Sequence, residues 1–389
     1  DINVENPALL YYNASGIVAF AGNGDAMADN SGDINAIGAY WATGIDVRGF
    51  GDATVENSGS VYANGGKYAF GVYATAGTGD VSVTNADGGE IGFYSYSGRG
   101  WGVFAYANNG DVNVTNDGTI SGYAYGQSAG IFGLAGQGDV NVTNSGSIGV
   151  ITGGNVAVGI FARADYGTAT VDNSGDIYAS VEGVNGFVGV AAYGILARGE
   201  YAGVTNSGNI EVLGYAAAIG IAASSYYGTT VTTTGGTIEV AALGDATGID
   251  AQSALGDVVV DNASDLDVIG LYTSATGISA VAGGDVSVTN SGGIYAGSLY
   301  GNSIGIYAYS AYGDVTVDNS GDINAVSYYG LADGIFASGA NVDVSNSGAI
   351  EVYGYTWAAG IEAQGADSTF VSTAGDIAVL APGPLQVQA

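Results

Sequence analysis

Apolar and polar residues alternate along this chain in short triplets that recur at a nearly constant interval. One copy of the pattern contains the triplets Val286–Val288, Ile294–Ala296 and Ile306–Ala308, and the following copy repeats all three between Val315 and Ala337. An apolar–x–apolar triplet places two side chains on one face of a strand, because successive strand residues point to opposite faces. The pattern therefore predicts three short strands in each copy.

An asparagine ends the first triplet of most copies, usually within the motif V-x-V-x-N-S-G. Successive positions are separated by 27 to 33 residues, and the main ones are Asn57, Asn85, Asn116, Asn144, Asn173, Asn206, Asn262, Asn290, Asn319 and Asn346. Asn30 precedes this series, and Thr234 and Thr373 take the two remaining places. We expect these side chains to stack as a structural amide ladder and not to take part in catalysis.

Strands this short cannot form a sheet alone, so each must pair with the same strand of the next copy. The sequence thus predicts an all-β fold, a right-handed parallel β-helix with three short strands per rung, about 28 residues per rung and about 13 rungs. Three parallel sheets would enclose an apolar core. We expect a single domain over residues 1–389, with residues 1–23 as a partial first rung and residues 367–389 as the last rung and tail.

The two ends of the repeat show no helical or charged cap, although solenoids usually protect their terminal rungs. The segments that match strands of a rung are 1–4, 15–19, 370–373 and 376–379, with 384–388 as an irregular third strand. One hypothesis is that copies stack head-to-tail into a filament, each open end pairing with the next copy. The alternative is that Pro382 and Pro384 block the last edge while residues 6–13 cover the first.

Composition and charge narrow the range of partners. The chain has 37 acidic and 5 basic residues, no His and a net charge of −32. Nucleic acids and anionic membrane surfaces are excluded as partners, because both require a basic footprint. The absence of Cys excludes disulfides, and no apolar stretch is long enough to insert into a bilayer. Divalent cations, cationic surfaces and neutral glycans remain as possible partners.

The frame V-x-V-T-N-S-G-x-I-x-A…G-I-x-A, present from Val286 to Ala308, resembles the repeats of autotransporter passenger domains and filamentous-haemagglutinin-like exoproteins. The likeness extends over nearly the whole chain and concerns the repeat, not a catalytic motif. It implies a β-helix exported to the outer surface of a Gram-negative bacterium, as an adhesin, a fibre subunit or a biofilm component. No leader precedes Asp1, so we expect the processed form of an exported protein.

Two sets of carboxylates are candidates for metal binding. The turn set is Asp25, Asp52, Asp80, Asp111 and Asp139, continued by Asp257, Asp285 and Asp314, and the set on the outer face of the second strand is Glu211, Glu239 and Asp267. Carboxylates one rung apart lie ~5 Å from each other and repel. One hypothesis is that Ca²⁺ bridges them as a hard cation with oxygen ligands. The alternative is that solvated carboxylates share diffuse counterions, and no other cofactor is expected.

Glu211 and Glu239 also suggest a different function, because a carboxylate pair ~5 Å apart suits a retaining glycosidase. Such a site also needs a cleft and hydrogen-bond donors for the sugar, and the nearest basic residue in sequence, Arg198, is isolated. We therefore expect a structural or adhesive protein and not an enzyme. The alternative is a β-helix that binds or degrades polysaccharides.

The 28 tyrosines point to contact with other molecules. Those in variable loops include Tyr226, Tyr227, Tyr328, Tyr329, Tyr353 and Tyr355, and those predicted to point outward from strands include Tyr178, Tyr295 and Tyr307. Tyrosine offers a large amphipathic surface at low entropy cost, which suits binding to glycans or a neighbouring cell surface. Alternatively, the rings shield the solenoid or pack against another copy. Two longer copies insert residues near 87–94 and 181–189, and insertions in solenoids often bind ligands.

Overall fold

The computed structural model describes residues 2–6, 12–182 and 191–383. These residues form a parallel β-solenoid of about 13 turns with about 28 residues per turn, and they contain no helix. The predicted all-β solenoid is thereby confirmed. Contacts divide the chain into two compact units, unit 1 (Asp1–Val204) and unit 2 (Thr205–Ala389).

Each complete turn contains a first, a second and a third strand, named in the order of the repeat. The separate first strands are β3 (Ala26–Asn30), β6 (Ala53–Asn57), β9 (Val81–Asn85), β12 (Val112–Asn116), β15 (Val140–Asn144), β18 (Thr168–Asn173), β25 (Asp257–Asn262), β28 (Val286–Asn290) and β31 (Val315–Asn319). The second strands are β1 (Ile2–Asn6), β4 (Asp33–Gly38), β7 (Ser60–Gly65), β10 (Glu90–Ser95), β13 (Thr119–Ala124), β16 (Ser147–Thr152), β19 (Ile177–Val181), β21 (Ile210–Gly214), β23 (Thr237–Ala242), β26 (Asp265–Gly270), β29 (Ile294–Ser298), β32 (Ile323–Ser327), β34 (Ile350–Gly354) and β36 (Ile377–Leu380). The separate third strands are β2 (Asn13–Ala21), β5 (Trp41–Gly49), β8 (Tyr68–Ala76), β11 (Arg99–Ala107), β14 (Gln127–Ala135), β17 (Val156–Ala164), β24 (Asp245–Ser253), β27 (Ala275–Ala282) and β30 (Ser303–Ser310).

Four long strands each join a third strand to the first strand of the following turn. They are β20 (Ala191–Asn206), β22 (Ala217–Thr233), β33 (Leu331–Asn346) and β35 (Trp357–Thr373). Strand β22, for example, pairs with β24 through its first half and with β25 through its second half. Third and first strands therefore share one hydrogen-bonded sheet, and second strands form the other. The expectation of three separate sheets is wrong in this respect, because the backbone stays extended through one corner of these turns.

Like strands of neighbouring turns lie side by side in parallel. Ile294 of β29 pairs with Ile323 of β32, and Val288 of β28 pairs with Val317 of β31. Each turn thus repeats the side-chain positions of the turn before it. Inward columns of Ile, Val and Ala form the core in both units, with most of these side chains 0–2% exposed.

The glycine of the G-I-x-A motif makes room for the isoleucine of the second strand. A Cβ atom added at Gly130 would lie only 2.3 Å from Cγ2 of Ile148 and 2.7 Å from the carbonyl oxygen of Gly159. Gly277 stands in the same relation to Ile294, at 2.4 Å. Two strands therefore approach so closely that only glycine fits opposite the isoleucine. This close approach explains why glycine recurs at this position of the third strand on nearly every turn.

The terminal segments form the strands expected of them. Strand β1 pairs with β4, and β2 pairs with β5, while β35 and β36 pair with β33 and β34. In the turn of β35 and β36, Val371, Ile377 and Val379 are 45%, 39% and 45% exposed. The predicted third strand at 384–388 and most of the predicted N-terminal cover at 6–13 lie outside the described residues.

Candidate functional site

Asparagine side chains form a buried hydrogen-bonded ladder at the end of the first strands. Asn116 Nδ2 donates to Asn144 Oδ1 at 2.7 Å and to the carbonyl oxygen of Gly118 at 3.2 Å. The same amide-to-amide bond, 2.6–2.8 Å long, joins Asn30–Asn57, Asn57–Asn85, Asn85–Asn116, Asn116–Asn144 and Asn144–Asn173 in unit 1 and Asn262–Asn290, Asn290–Asn319 and Asn319–Asn346 in unit 2. Asn173 and Asn206 hold the same corner by donating to the carbonyls of Gly175 and Gly208, both at 2.9 Å. The ladder satisfies polar atoms that the solenoid would otherwise bury without partners.

Threonine replaces asparagine twice in this column. Thr233 Oγ1 donates to Asn262 Oδ1 at 2.6 Å, and Asn346 Nδ2 lies 3.3 Å from Thr373 Oγ1. Thr233 is 1% exposed and pairs in register with Asn262, whereas Thr234 is exposed. The assignment of Thr234 to the ladder is therefore wrong by one residue, because the turn before it is one residue shorter than an even spacing suggests.

The turn aspartates have a structural partner in each neighbouring turn. Asp25 Oδ1 accepts a hydrogen bond from the backbone N–H of Asp52 at 2.9 Å, and Asp52 Oδ1 accepts from Asp80 at 2.9 Å. The series continues with bonds of 2.7–2.8 Å from Asp111 N to Asp80, Asp139 N to Asp111 and Thr168 N to Asp139, and in unit 2 from Asp285 N to Asp257 and Asp314 N to Asp285. One carboxylate oxygen of each acid thus accepts a hydrogen bond from a backbone N–H group at the same corner of the next turn. Neither the calcium hypothesis nor the alternative of solvated carboxylates anticipated this role.

The outward acids of the second strands line a shallow groove in unit 2. Glu211 pairs with Glu239, and Glu239 pairs with Asp267, on successive turns. The groove has a volume of about 590 Å³ and is lined by Glu239, Asp267, Tyr295, Glu351 and their neighbours, with Glu211 outside the lining. Among the described residues, no three His, Cys, Asp or Glu side chains converge as they do around a metal ion. Calcium binding stays a prediction.

The two units carry nearly equal numbers of acidic residues, but all the basic residues lie in unit 1. Unit 2 contains 18 of the 37 acidic residues and none of the five basic residues, which are Arg48, Lys67, Arg99, Arg163 and Arg198. In unit 1, Arg48 and Arg163 pair with Asp46 and Asp165 at 2.7 Å. Carboxylates of unit 2 therefore have no cationic side chain within their own unit, and added cations should affect this unit most.

A tyrosine ladder lies on the loops that follow the second strands of unit 2. Ring centroids are 5.7 Å apart between Tyr272 and Tyr300 and 5.2 Å apart between Tyr300 and Tyr329, with the rings nearly parallel. Tyr355 extends the ladder at 6.0 Å with a tilted ring. Tyr272, Tyr300 and Tyr329 are 57%, 53% and 56% exposed. The turn-to-turn register thus presents three stacked rings to solvent as one continuous surface.

A second tyrosine cluster lines a groove on the second strands of unit 1. The outward column of residues is Tyr62, Gly92, Ser121, Gly149 and Tyr178, from β7 through β10, β13 and β16 to β19. Two tyrosines therefore stand at the ends of a floor made of three small residues. This tyrosine-walled groove has a volume of about 600 Å³.

The side walls of this groove come from the neighbouring columns. Tyr94 and Tyr123 stack at 5.5 Å on one side, and Glu90 and Thr119 lie on the other. Burial raises the pKa of Tyr62 and of Tyr123, and the nearby Tyr94 adds to both shifts. Their hydroxyl groups thus remain protonated donors over the physiological range.

The sequence pattern anticipated only part of these surfaces. Tyr178 was expected to point outward and does so at one end of the groove, and the predicted insertion at 87–94 contributes Glu90, Gly92 and Tyr94. The insertion at 181–189 lies largely outside the described residues. Reasoning from sequence missed the groove itself. The available signal was glycine or serine at the outward position of three successive second strands, where neighbouring turns carry tyrosine.

No helix in the described part of the chain is both long and apolar enough to cross a membrane. Comparison with known proteins finds no family model, no curated protein and no solved structure that matches this chain.

Proposed function

We propose that this chain is a secreted, surface-exposed β-solenoid of a Gram-negative bacterium with a structural and adhesive role. The resemblance of its repeat to exported passenger domains supports the location. Its amide ladders and glycine-locked core support a rigid scaffold. Its acidity supports a partner that is neutral or cationic.

The observation that carries the adhesive part is the exposed ladder of Tyr272, Tyr300 and Tyr329. Aromatic rings that are half exposed on a rigid support bind with little loss of side-chain entropy. The solenoid holds these rings at a fixed spacing of one turn, so that they act as one surface. Such a surface suits a ligand with a regular repeat, such as a polysaccharide of a cell surface.

Adhesion measured with purified protein tests this proposal. The triple variant Tyr272→Ala, Tyr300→Ala, Tyr329→Ala should lose most of its binding to cells or to extracted surface polysaccharide. The control changes Tyr96, Tyr166 and Tyr312, which are 73%, 66% and 86% exposed and lie outside the ladder, to Ala. Equal losses in the two triple variants, or no loss in the ladder variant, would contradict an adhesive role for the ladder.

We further propose that copies of this chain associate through the strand edge of β35 and β36. The exposed apolar residues Val371, Ile377 and Val379 lie there, and within the described residues β36 pairs only with β34 and β35 only with β33, which leaves a strand edge of the kind that recruits another strand. Sedimentation over a range of concentrations should show association that Val379→Lys suppresses. Val259→Lys is the control, because Val259 is 41% exposed on a first strand away from this edge. A parent protein that stays monomeric at every concentration contradicts self-association.

Polysaccharide cleavage is the second candidate function, and the acidic groove of unit 2 favours it. Glu239 and Asp267 face outward from adjacent turns within that groove. Incubation with neutral and acidic polysaccharides, followed by assay of new reducing ends, tests the idea. Activity that disappears in Glu239→Gln would establish an enzyme. Activity that persists in this variant would assign it to a contaminant or to another site.

A further inference from the structure

The tyrosine-walled groove of unit 1 differs from the exposed ladder because it is concave. Its walls are tyrosine rings and hydroxyl groups, and Glu90 is the one acidic side chain among the described residues that line it. Its volume of about 600 Å³ falls within the ~300–1,000 Å³ range of small-ligand sites. The four steps from Tyr62 to Tyr178 extend over ~19 Å at ~4.8 Å per turn. The groove is therefore long, narrow and periodic.

The floor of the groove is open at Gly149 and covered at Gly92. A Cβ atom added at Gly149 would meet nothing within 4 Å. At Gly92, by contrast, an added Cβ would lie 2.9 Å from Cδ2 of Tyr62, so that ring leans over the neighbouring turn. Beneath the floor, the buried ring of Phe93 fills the core beside Gly122, whose added Cβ would lie 2.4 Å from it. The groove is thus a rigid feature of the packed solenoid.

The backbone beneath the groove has no free hydrogen-bonding edge. Strand β10 is paired on both sides, with β7 and with β13, and β13 is paired with β10 and β16. A peptide strand therefore cannot add to the sheet here, although strand addition is a common mode of peptide binding. Recognition must use ring faces and hydroxyl groups. These are the groups that bind a sugar, whose C–H faces stack on aromatic rings while its hydroxyl groups form hydrogen bonds.

We propose that the tyrosine-walled groove binds a stretch of a linear, uncharged polysaccharide, with the chain running across the turns. This inference rests on the adhesive function proposed above and names the ligand class for one part of the surface. Successive sugar rings would lie over Ser121 and Gly149, between the ring of Tyr62, which covers Gly92, and the ring of Tyr178. A net charge of −32 disfavours anionic polymers.

Calorimetric titration with neutral oligosaccharides tests this inference. The probes are linear oligomers of glucose, xylose, mannose and N-acetylglucosamine, together with an anionic polyuronate. Affinity for one neutral series should rise with oligomer length up to ~19 Å and then level off. Tyr62→Ala should weaken binding roughly tenfold, whereas Tyr62→Phe should keep most of the stacking contact.

The decisive variant fills the floor without disturbing the fold. Gly149→Gln places a side chain where a Cβ has open space, and Gly203→Gln is its matched control, since an added Cβ there also meets nothing within 4 Å. Both variants should melt at the same temperature, and only Gly149→Gln should abolish binding. Unchanged binding in Gly149→Gln overturns the inference, as does binding of the polyuronate alone or of no neutral oligomer. If adhesion through the Tyr272 ladder persists in those cases, the proposed function stands and only the groove assignment fails.

Discussion

Replacing Asn116 by Ala removes three hydrogen bonds from the buried amide ladder. Asn116 donates to Asn144 at 2.7 Å and to Gly118 at 3.2 Å, and it accepts from Asn85 at 2.8 Å. At about 1 kcal/mol net for each bond, the direct loss is about 3 kcal/mol. Asn144 is 0% exposed, so its Oδ1 atom is left without this donor and away from water, which costs a further ~1–2 kcal/mol. We expect Asn116→Ala to lower the free energy of unfolding by about 3–5 kcal/mol.

The same strand supplies the control for this prediction. Asn113 lies three residues earlier on β12, is exposed, and accepts a hydrogen bond from Asn141 at 3.1 Å. Because this bond competes with water, Asn113→Ala should change stability by no more than ~0.5 kcal/mol. Asn116→Thr should fall between the parent and Asn116→Ala, because Thr233 shows that a hydroxyl group can donate to the next amide in this column.

Denaturant unfolding and amide hydrogen exchange together measure the effect. A solenoid is held by contacts between neighbouring turns, so the damage should be concentrated at the interfaces of β12 with β9 and β15. Exchange should accelerate most in those three strands. Equal losses in Asn113→Ala and Asn116→Ala, or a loss below ~1 kcal/mol in Asn116→Ala, would refute the reasoning that burial makes the ladder stabilising.

Three further outcomes are expected from the packing and the charges. Gly130→Ala should lower the melting temperature strongly, because its Cβ would lie 2.3 Å from Ile148, whereas Gly149→Ala should have little effect, because its Cβ has open space. Equal melting temperatures in the two variants would contradict the close packing of glycine against the isoleucine of the second strand. Burial raises the pKa of Asp250 above its unfolded value in spite of the hydrogen bonds from Gln252, so the ionised side chain lowers the stability of the fold once the pH exceeds the folded pKa. Asp250→Asn should therefore be more stable than the parent at pH 7 but not below ~pH 3.5, and a gain in stability that does not depend on pH refutes this. If calcium bridges the carboxylates of unit 2, a chelator should lower the melting temperature, most strongly at low salt, and no change would exclude calcium as a structural element.

The sequence alone determined the features that depend on local alternation and on the period. The alternating triplets required strands with one inward face, and an interval of about 28 residues required like strands to stack, as Ile294 and Ile323 do. Both features follow from the pleat of a strand and from burial of its apolar face. Neither depends on the details of the loops.

Only the tertiary structure decided which side chains meet between turns. Loops of different length separate the strands, so one residue of offset places Thr233 instead of Thr234 in the ladder. The turn aspartates receive their N–H partners from the next turn, and Gly92 lies beneath the ring of Tyr62 from the turn before it. The groove exists because small residues on three turns come into the same register. That register comes from the pairing of strands about 28 residues apart with their apolar faces buried, so it cannot be read from any single copy of the repeat.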